Sequence, residues 1–170
     1  MKGGNEAMEF EQLFITYFND VYKYIRKLSG NEHIAEDITS ETFFKAMNSL
    51  DSFRNDCDFR VWLCQIAKNT YYSYIKKHKK SDNLLIEDLI DNNSILDDTL
   101  IKKEQVSQAQ NLLHTLSDPY KEVFMWRVFA DLSFKQIAQI FGKTDNWACV
   151  TYHRAKIMIK NELEELENEK

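Results

Sequence analysis

Between positions 67 and 80 the chain reads AKNTYYSYIKKHKK, which gathers Lys68, Lys76, Lys77, Lys79, Lys80 and His78 with no carboxylate among them. Tyr71, Tyr72 and Tyr74 are interleaved, and Phe53, Phe59 and Trp62 precede them. Cations that track phosphates and ring faces on which unpaired bases stack are the two ingredients of single-strand binding. A solvated basic helix end uses the same residues and stays open as the plainer reading. A second stretch, DNWACVTYHRAK at 145–156, raises duplex recognition instead. At 100° per residue, Ala148, Tyr152, Ala155 and Ile159 gather on one side of a helix. Asn146, Cys149, Val150, His153, Lys156 and Lys160 fall opposite, with Arg154 at the margin. On a helix laid into the major groove, Asn146, Cys149, Val150 and His153 are the base-edge candidates, while Arg154, Lys156 and Lys160 suit phosphates.

Other reactive residue types point to less. Glu36, Asp37 and Glu41 could be solvated helix charges, a docking surface for a basic partner or a carboxylate pair. No positioned His, nucleophile or Gly-rich phosphate loop accompanies them, so no enzyme activity is expected. His33 and Glu36 form an HxxE without the further ligands that a metal site needs, and neither metal nor cofactor is expected. Cys57, Cys64 and Cys149 are odd in number and lack a CxxC or Cys/His pattern, which fits small, partly buried thiols.

The elements that position these residues are helices. The 170 residues are 44% hydrophobic and 29% charged, with only 4 Gly and 1 Pro, too little turn chemistry for an all-β fold. No charged-then-apolar leader is read and no apolar run nears roughly 18 residues, so a cytoplasmic chain outside the membrane is expected. The net charge of −5 argues at first against a nucleic-acid binder. Its distribution matters more: 12 Lys/Arg stand against 11 Asp/Glu in 1–80, 2 against 7 in 81–104 and 8 against 9 in 105–170. The middle segment mixes acids, Asn and Ser with isolated Leu and Ile and has no sustained 3.6 period, which reads as a flexible acidic linker. The expected architecture is all-α: small helical domains at 8–80 and 105–168, joined by the linker at 81–104.

In the first domain Phe10, Leu13, Phe14, Tyr17, Val21, Tyr24 and Leu28 recur at spacings of three and four, giving one long helix that Ser29-Gly30-Asn31 ends. Residues 1–7 read as disordered. A second helix runs from about Glu32 to Leu50, with Ile34, Ile38, Phe43 and Met47 apolar. After the turn-forming DSFRNDCD, a third carries Phe59, Trp62, Leu63, Ile66, Ala67, Tyr71, Tyr74 and Ile75. In the second domain Leu112, Leu113 and Leu116 close a helix, and Ser117-Asp118-Pro119 supplies a capping side chain and a first-turn proline for the next, which continues to about Ala130. Ser133 to Gln136 has the form of a capping box opening a short helix. Gly142 ends that helix four residues after Ala138, and the last begins near Asp145. Two short helices joined by a tight turn make a helix-turn-helix. The acidic run after Lys160 points away from DNA or frays.

Two blocks of this sequence resemble the extracytoplasmic-function (ECF) sigma factors of bacterial RNA polymerase. Residues 32–69 are similar to their region 2 pattern A-E-D-L-x-Q-E-T-F-L-K-A-W, D-S-F-R-G and F-x-x-W-L-x-x-I-A-x-N. Residues 116–156 resemble region 4, with its L-P-x-x-x-R-E-V-F, G-L-S-Y-x-E-I-A and H-R-A-R/K. The resemblance implies a dissociable, non-enzymatic subunit that binds core polymerase through the β′ clamp helices and β flap and directs it to promoter DNA. It implies Asp37, Glu41 and Phe44 as polymerase contacts. Phe53, Arg54, Asn55 and Asp56 would line a pocket for a flipped −10 base, with Trp62, Asn69, Lys76, Lys77, Lys79 and Lys80 along the melted strand and upstream phosphates. For the −35 element it implies Ser133, Lys135, Asn146, Cys149, Val150, His153, Arg154 and Lys156. An anti-sigma factor is an expected partner, and the free chain is expected to be a monomer. The sequence departs from the family pattern at Asn55, where Gly is usual, and at Cys149 and Thr151, where Lys or Arg is frequent. A free-standing helix-turn-helix regulator and a helical sigma-interacting protein are the rival readings.

Overall fold

The computed structural model describes residues 3–82 and 111–168, with only the backbone described at 3–8 and 79–82. All regular structure among the described residues is helical. The chain divides into two compact units, Met1–Ile90 and Asp91–Lys170. The stretch read as an acidic linker lies, from residue 83 onward, outside the described residues.

In the first unit, α1 spans Gly3–Ser29 and α2 spans Glu32–Asn48. A short 3-10 turn follows at Leu50–Ser52, and α3 spans Phe59–Asp82. The helix already includes Gly3, which corrects the expectation of disorder through residue 7. Glu6, Ala7, Met8 and Glu9 are good helix formers, and the acids suit the positive end of a helix. Gly30 breaks α1 with φ 68°, its N–H donating to the Arg26 carbonyl at 3.0 Å. Asn31 then caps α2, its Oδ1 accepting from the Ile34 N–H at 3.0 Å.

Two adjacent residues per turn of α2 are buried: Ile34 and Ala35, Ile38 and Thr39, Thr42 and Phe43, then Ala46. Most are small, so α2 can approach both α1 and α3 closely. The Thr42 hydroxyl, inside this seam, donates to the Ile38 carbonyl at 2.6 Å and so carries no unmet donor into the core. Phe43 meets the rings of Phe10, Phe14 and Phe18 on α1 at centroid distances of 6.4, 4.9 and 5.9 Å. Met47, expected on the apolar side, is exposed, as is Phe44. On α3 the buried set is Val61, Leu63, Cys64, Ala67, Thr70, Tyr71 and Ile75. Phe59, Trp62, Ile66 and Tyr74 remain half-buried. The seam is therefore rotated by about one position from the periodicity of the large residues, because small side chains fill the narrow space against α2. Polar ties complete the unit: Arg60 Nε lies 3.0 Å from Asp20 Oδ2 on α1, and Lys45 Nζ donates to Thr70 Oγ1 at 3.2 Å.

In the second unit residues 111–115 are helical (α4), followed by α5 at Tyr120–Val128, α6 at Phe134–Phe141 and α7 at Asp145–Asn168. Its core is Leu113, Val123, Met125, Trp126, Leu132, Ile137 and the inner face of α7. The side-chain cap expected from Ser117 or Asp118 is not formed, because Pro119 itself occupies the cap position of α5. This helix also stops at Val128 rather than Ala130. The chain reverses at Asp131 (φ 54°), and Arg127 Nη1 closes the turn onto the Leu132 carbonyl at 2.9 Å. The run read as fraying or pointing away is helical through Asn168.

Phe43→Ala should cost about 3–5 kcal/mol in urea unfolding of the full chain, the usual range for emptying a large buried side chain. Phe44→Ala, one residue on but outside the seam, should stay within about 0.5 kcal/mol of wild type in the same assay.

Candidate nucleic-acid interface

The loop between the 3-10 turn and α3 is built around three rings. Phe53, Phe59 and Trp62 stand 5.1–5.3 Å apart by centroid, and Tyr17 of α1 adds a fourth ring 5.6 Å from Phe59. All four are half-buried, so the cluster is anchored below and open above. Arg54, Asn55 and Asp56 project from it, exposed. Asn55 has φ 56°, the left-handed region where Gly rests without cost and where Asn is the commonest substitute. The departure from the family glycine therefore keeps a glycine-like backbone. Asp131 repeats this: it stands at the glycine of the G-L-S-Y motif and has φ 54°. Asp58 ends the loop by accepting the Arg60 N–H on Oδ1 at 2.9 Å.

Along α3, Trp62, Asn69 and Lys76 lie seven residues apart and so share one side. At about 1.5 Å per residue the stripe runs for about 21 Å from the ring cluster to Lys76. Asn69, Lys76 and Lys77 are exposed; the side chains of Lys79 and Lys80 lie outside the described residues. One expected stacking face is corrected. Tyr71 belongs to the core, where burial pushes its phenol well above the usual tyrosine range. Tyr72 and Tyr74 stay half-buried, and the Tyr74 ring meets His78 edge-on at 4.1 Å. The opposite side of α2 carries Asp37, Glu41 and Phe44, all exposed, with Phe44 at 63%. Glu41 is paired with Lys45 at 2.7 Å. Met47, expected in the packing set rather than as a contact residue, is exposed three positions after Phe44.

The helix-turn-helix is fixed at both ends of α6. The Ser133 hydroxyl accepts from the Gln136 N–H at 3.1 Å while Gln136 Oε1 accepts from the Ser133 N–H at 2.9 Å, a capping box. Gly142 closes α6 in the left-handed region (φ 62°), and the Lys143 N–H donates to the Ala138 carbonyl at 2.9 Å. Thr144 Oγ1 then accepts from the Trp147 N–H at 3.1 Å, starting α7. The inner face of α7 is Ala148, Thr151, Ala155 and Ile159. Thr151 thus replaces Tyr152 in the expected packing set. Tyr152 is half-buried between Phe124 and Phe134, at 6.0 and 5.7 Å, with Lys156 Nζ 5.8 Å over its ring. Asn146, Val150, His153, Arg154 and Lys156 are exposed, as are Ser133 and Lys135 on the α6 side, whereas Cys149 is half-buried. Lys143 in the turn and Ile157 on the outer face of α7 are exposed beside them and were not foreseen.

The three thiols are free. Cys64 is buried and its thiol is pushed up to about 12 by desolvation. Cys57 is raised by burial and by the neighbouring Asp56 and Asp58 carboxylates. Among the described residues no group of His, Cys, Asp and Glu could hold a metal ion, and no helix is long and apolar enough to cross a membrane.

Comparison with known proteins bears on both units. Sigma-70 region 2 matches residues 13–81 and Sigma-70 region 4 matches residues 107–159, together more than two thirds of the chain. The RNA polymerase sigma factor YlaC of Bacillus subtilis is 28% identical over 161 residues, covering 90% of this chain and 91% of that protein. The ECF RNA polymerase sigma factor SigM of the same organism is 27% identical over 158 residues, covering 90% and 94%. Among solved structures, the sigma factor RpoE bound to the anti-sigma factor NepR from Bartonella quintana shares the fold, with TM-score 0.62, 22% identity and coverage of 92% and 97%. Two helical units carrying regions 2 and 4 in that order define a sigma factor. The chain belongs to the sigma-70 family, in its extracytoplasmic-function group.

If the loop path depends on left-handed backbone at residue 55, Asn55→Gly should change stability by less than about 1 kcal/mol, whereas Asn55→Val should cost about 1–2 kcal/mol in urea unfolding. On α7, Thr151→Arg should cost about 3 kcal/mol or more by burying a charge, while Cys149→Arg, with a route to solvent, should leave the melting curve nearly unchanged.

Proposed function

We propose that this chain is an alternative sigma factor that binds core RNA polymerase and directs promoter-specific initiation. The observation that carries this reading is the presence, in one chain and in order, of region 2 and region 4. Residues 8–80 act as the polymerase and −10 module, 81–104 as the connector and 105–168 as the −35 module. As a recognition subunit it performs no catalysis itself; the chemistry is the polymerase's.

Each surface has a matching task. Phe44 and Met47, apolar and exposed beside Asp37 and Glu41, suit a partner helix that offers both apolar and basic groups, as the β′ clamp helices would. The α6 and α7 unit would add contact to the β flap. The Phe53, Phe59 and Trp62 cluster offers ring faces to a −10 base taken out of the stack, with Arg54, Asn55 and Asp56 around it. Unstacking costs a few kcal/mol, which a pocket and stacking partners must offset. Asn69 and the lysines from 76 onward continue that path along the strand. Region 4 engages the −35 duplex through α7, with Ser133, Lys135, Arg154 and Lys156 on its phosphates. The net charge of −5 fits a subunit that gains most of its DNA affinity inside the holoenzyme. Sharing its fold with a sigma factor solved on an anti-sigma factor supports a similar inhibitory partner here, and the family's work at the polymerase supports a cytoplasmic chain, monomeric when free.

Reconstitution with sigma-free core polymerase tests this directly. Promoter-specific transcripts should appear with the holoenzyme and not with core alone. Absence of transcripts, together with a stable homodimer binding a palindrome, would favour a free-standing regulator instead. Phe44→Ala should weaken core binding about tenfold or more, measured by competition for polymerase, since an exposed aromatic anchor of this kind is worth roughly 1–2 kcal/mol or more.

A further inference from the structure

The loop that carries the ring cluster is exposed at Arg54, Asn55 and Asp56, yet its far end is tied down from α1. Tyr17 and Asp20, three positions apart on α1, meet two consecutive residues at the start of α3. The Tyr17 ring lies 5.6 Å from the Phe59 ring, and Asp20 Oδ2 lies 3.0 Å from Arg60 Nε. Arg60 is held at its backbone as well: its N–H donates to Asp58 Oδ1 at 2.9 Å, while the Asp58 carbonyl accepts the Trp62 N–H at 3.1 Å. Residues 58 to 62 therefore form one braced turn. Phe59 and Trp62 stand on it, with ring centroids 5.2 and 5.1 Å from that of Phe53.

The side chain of Arg60 is 22% exposed and that of Asp20 41%, so the guanidinium is spent on α1 while Arg54 is the exposed cation of the loop. An ion pair this open to water contributes little to overall stability, and its consequence is geometric. Faces that capture an unpaired base must already be set at the right angle, because stacking is the gain that offsets unpairing. Resting on the promoter reading above, we infer that Asp20 and Arg60 are positioning residues for strand opening: through their ion pair α1 sets where the Phe59 and Trp62 faces meet the −10 base. Neither residue touches DNA in this scheme. Breaking the pair lets the start of α3 shift, which costs opening while leaving the polymerase and duplex contacts intact.

The test uses holoenzyme reconstituted with the full chain, on a promoter selected by the wild-type holoenzyme from randomised DNA and labelled with 2-aminopurine in the −10 element. Asp20→Asn should lower the fluorescence-detected open complex about tenfold, the scale of one weakened base–ring stack. Core binding, closed-complex formation and urea unfolding should stay near wild type. Arg60→Asp should open poorly, and the exchanged pair Asp20→Arg with Arg60→Asp should recover most of the loss. Opening by Asp20→Asn at the wild-type level would overturn the assignment. So would an exchanged pair as defective as Arg60→Asp alone, since Arg60 would then act on a phosphate directly, and so would a loss of opening matched by an equal loss of core binding or of stability. Failure of the wild-type holoenzyme to select any promoter would instead overturn the promoter reading and this assignment with it.

Discussion

The first unit depends on one packing constraint, the two-residues-per-turn seam of α2. A helix that buries Ile34 and Ala35, Ile38 and Thr39, then Thr42 and Phe43 is in contact on two sides at once, with α1 and with α3. Such a helix has little rotational freedom left, because turning by one residue would bring Glu36, Asp37 or Phe44 into a space sized for Ala and Thr. The outward set is therefore a geometric consequence of the inward one. Phe44 stays at the surface although it is as apolar as Phe43, and its exposure has no source in local preference. In the second unit Ala148, Thr151, Ala155 and Ile159 impose the same condition on α7 and so decide which of its residues can meet a groove.

Charge follows a similar division of labour. Basic residues concentrate at the end of α3 away from the ring cluster, the acids of α2 lie on its outer face, and the chain as a whole is acidic. On the proposed function, such an arrangement would give weak general attraction for DNA while leaving an acidic helix for a basic partner.

Much of this was legible in the sequence. Helix number, the capping box at Ser133 and Gln136, the glycine stop at Gly142 and the two-block resemblance all rest on local signals that tertiary packing does not override. The family and its sigma-factor role followed from motif order. What the sequence misread was the rotation of helices about their own axes. Periodicity weighted by size put Ile66, Met47 and Tyr152 inside, whereas the close contacts chose Cys64, Thr39, Thr42 and Thr151, small residues that hydropathy undervalues. Tyr71 was read as a stacking face for the converse reason, since its neighbours in sequence are basic while its position on α3 points inward. The helical start at Gly3 was not legible, since residues 1–7 carry no apolar periodicity. The roles of individual DNA-facing residues rest on resemblance and exposure together.

The left-handed backbone at Asn55 and Asp131 has a consequence for how such chains are recognised. At both places the family pattern is written with glycine, and this chain has the left-handed torsion angle that glycine favours, on residues that tolerate it well. A motif of this kind is a record of chain geometry spelled in amino acids. Searches that score glycine alone would penalise this protein twice for preserving the very bends they seek, and grouping Gly, Asn and Asp at these two columns would recover diverged relatives that share only the path of the chain.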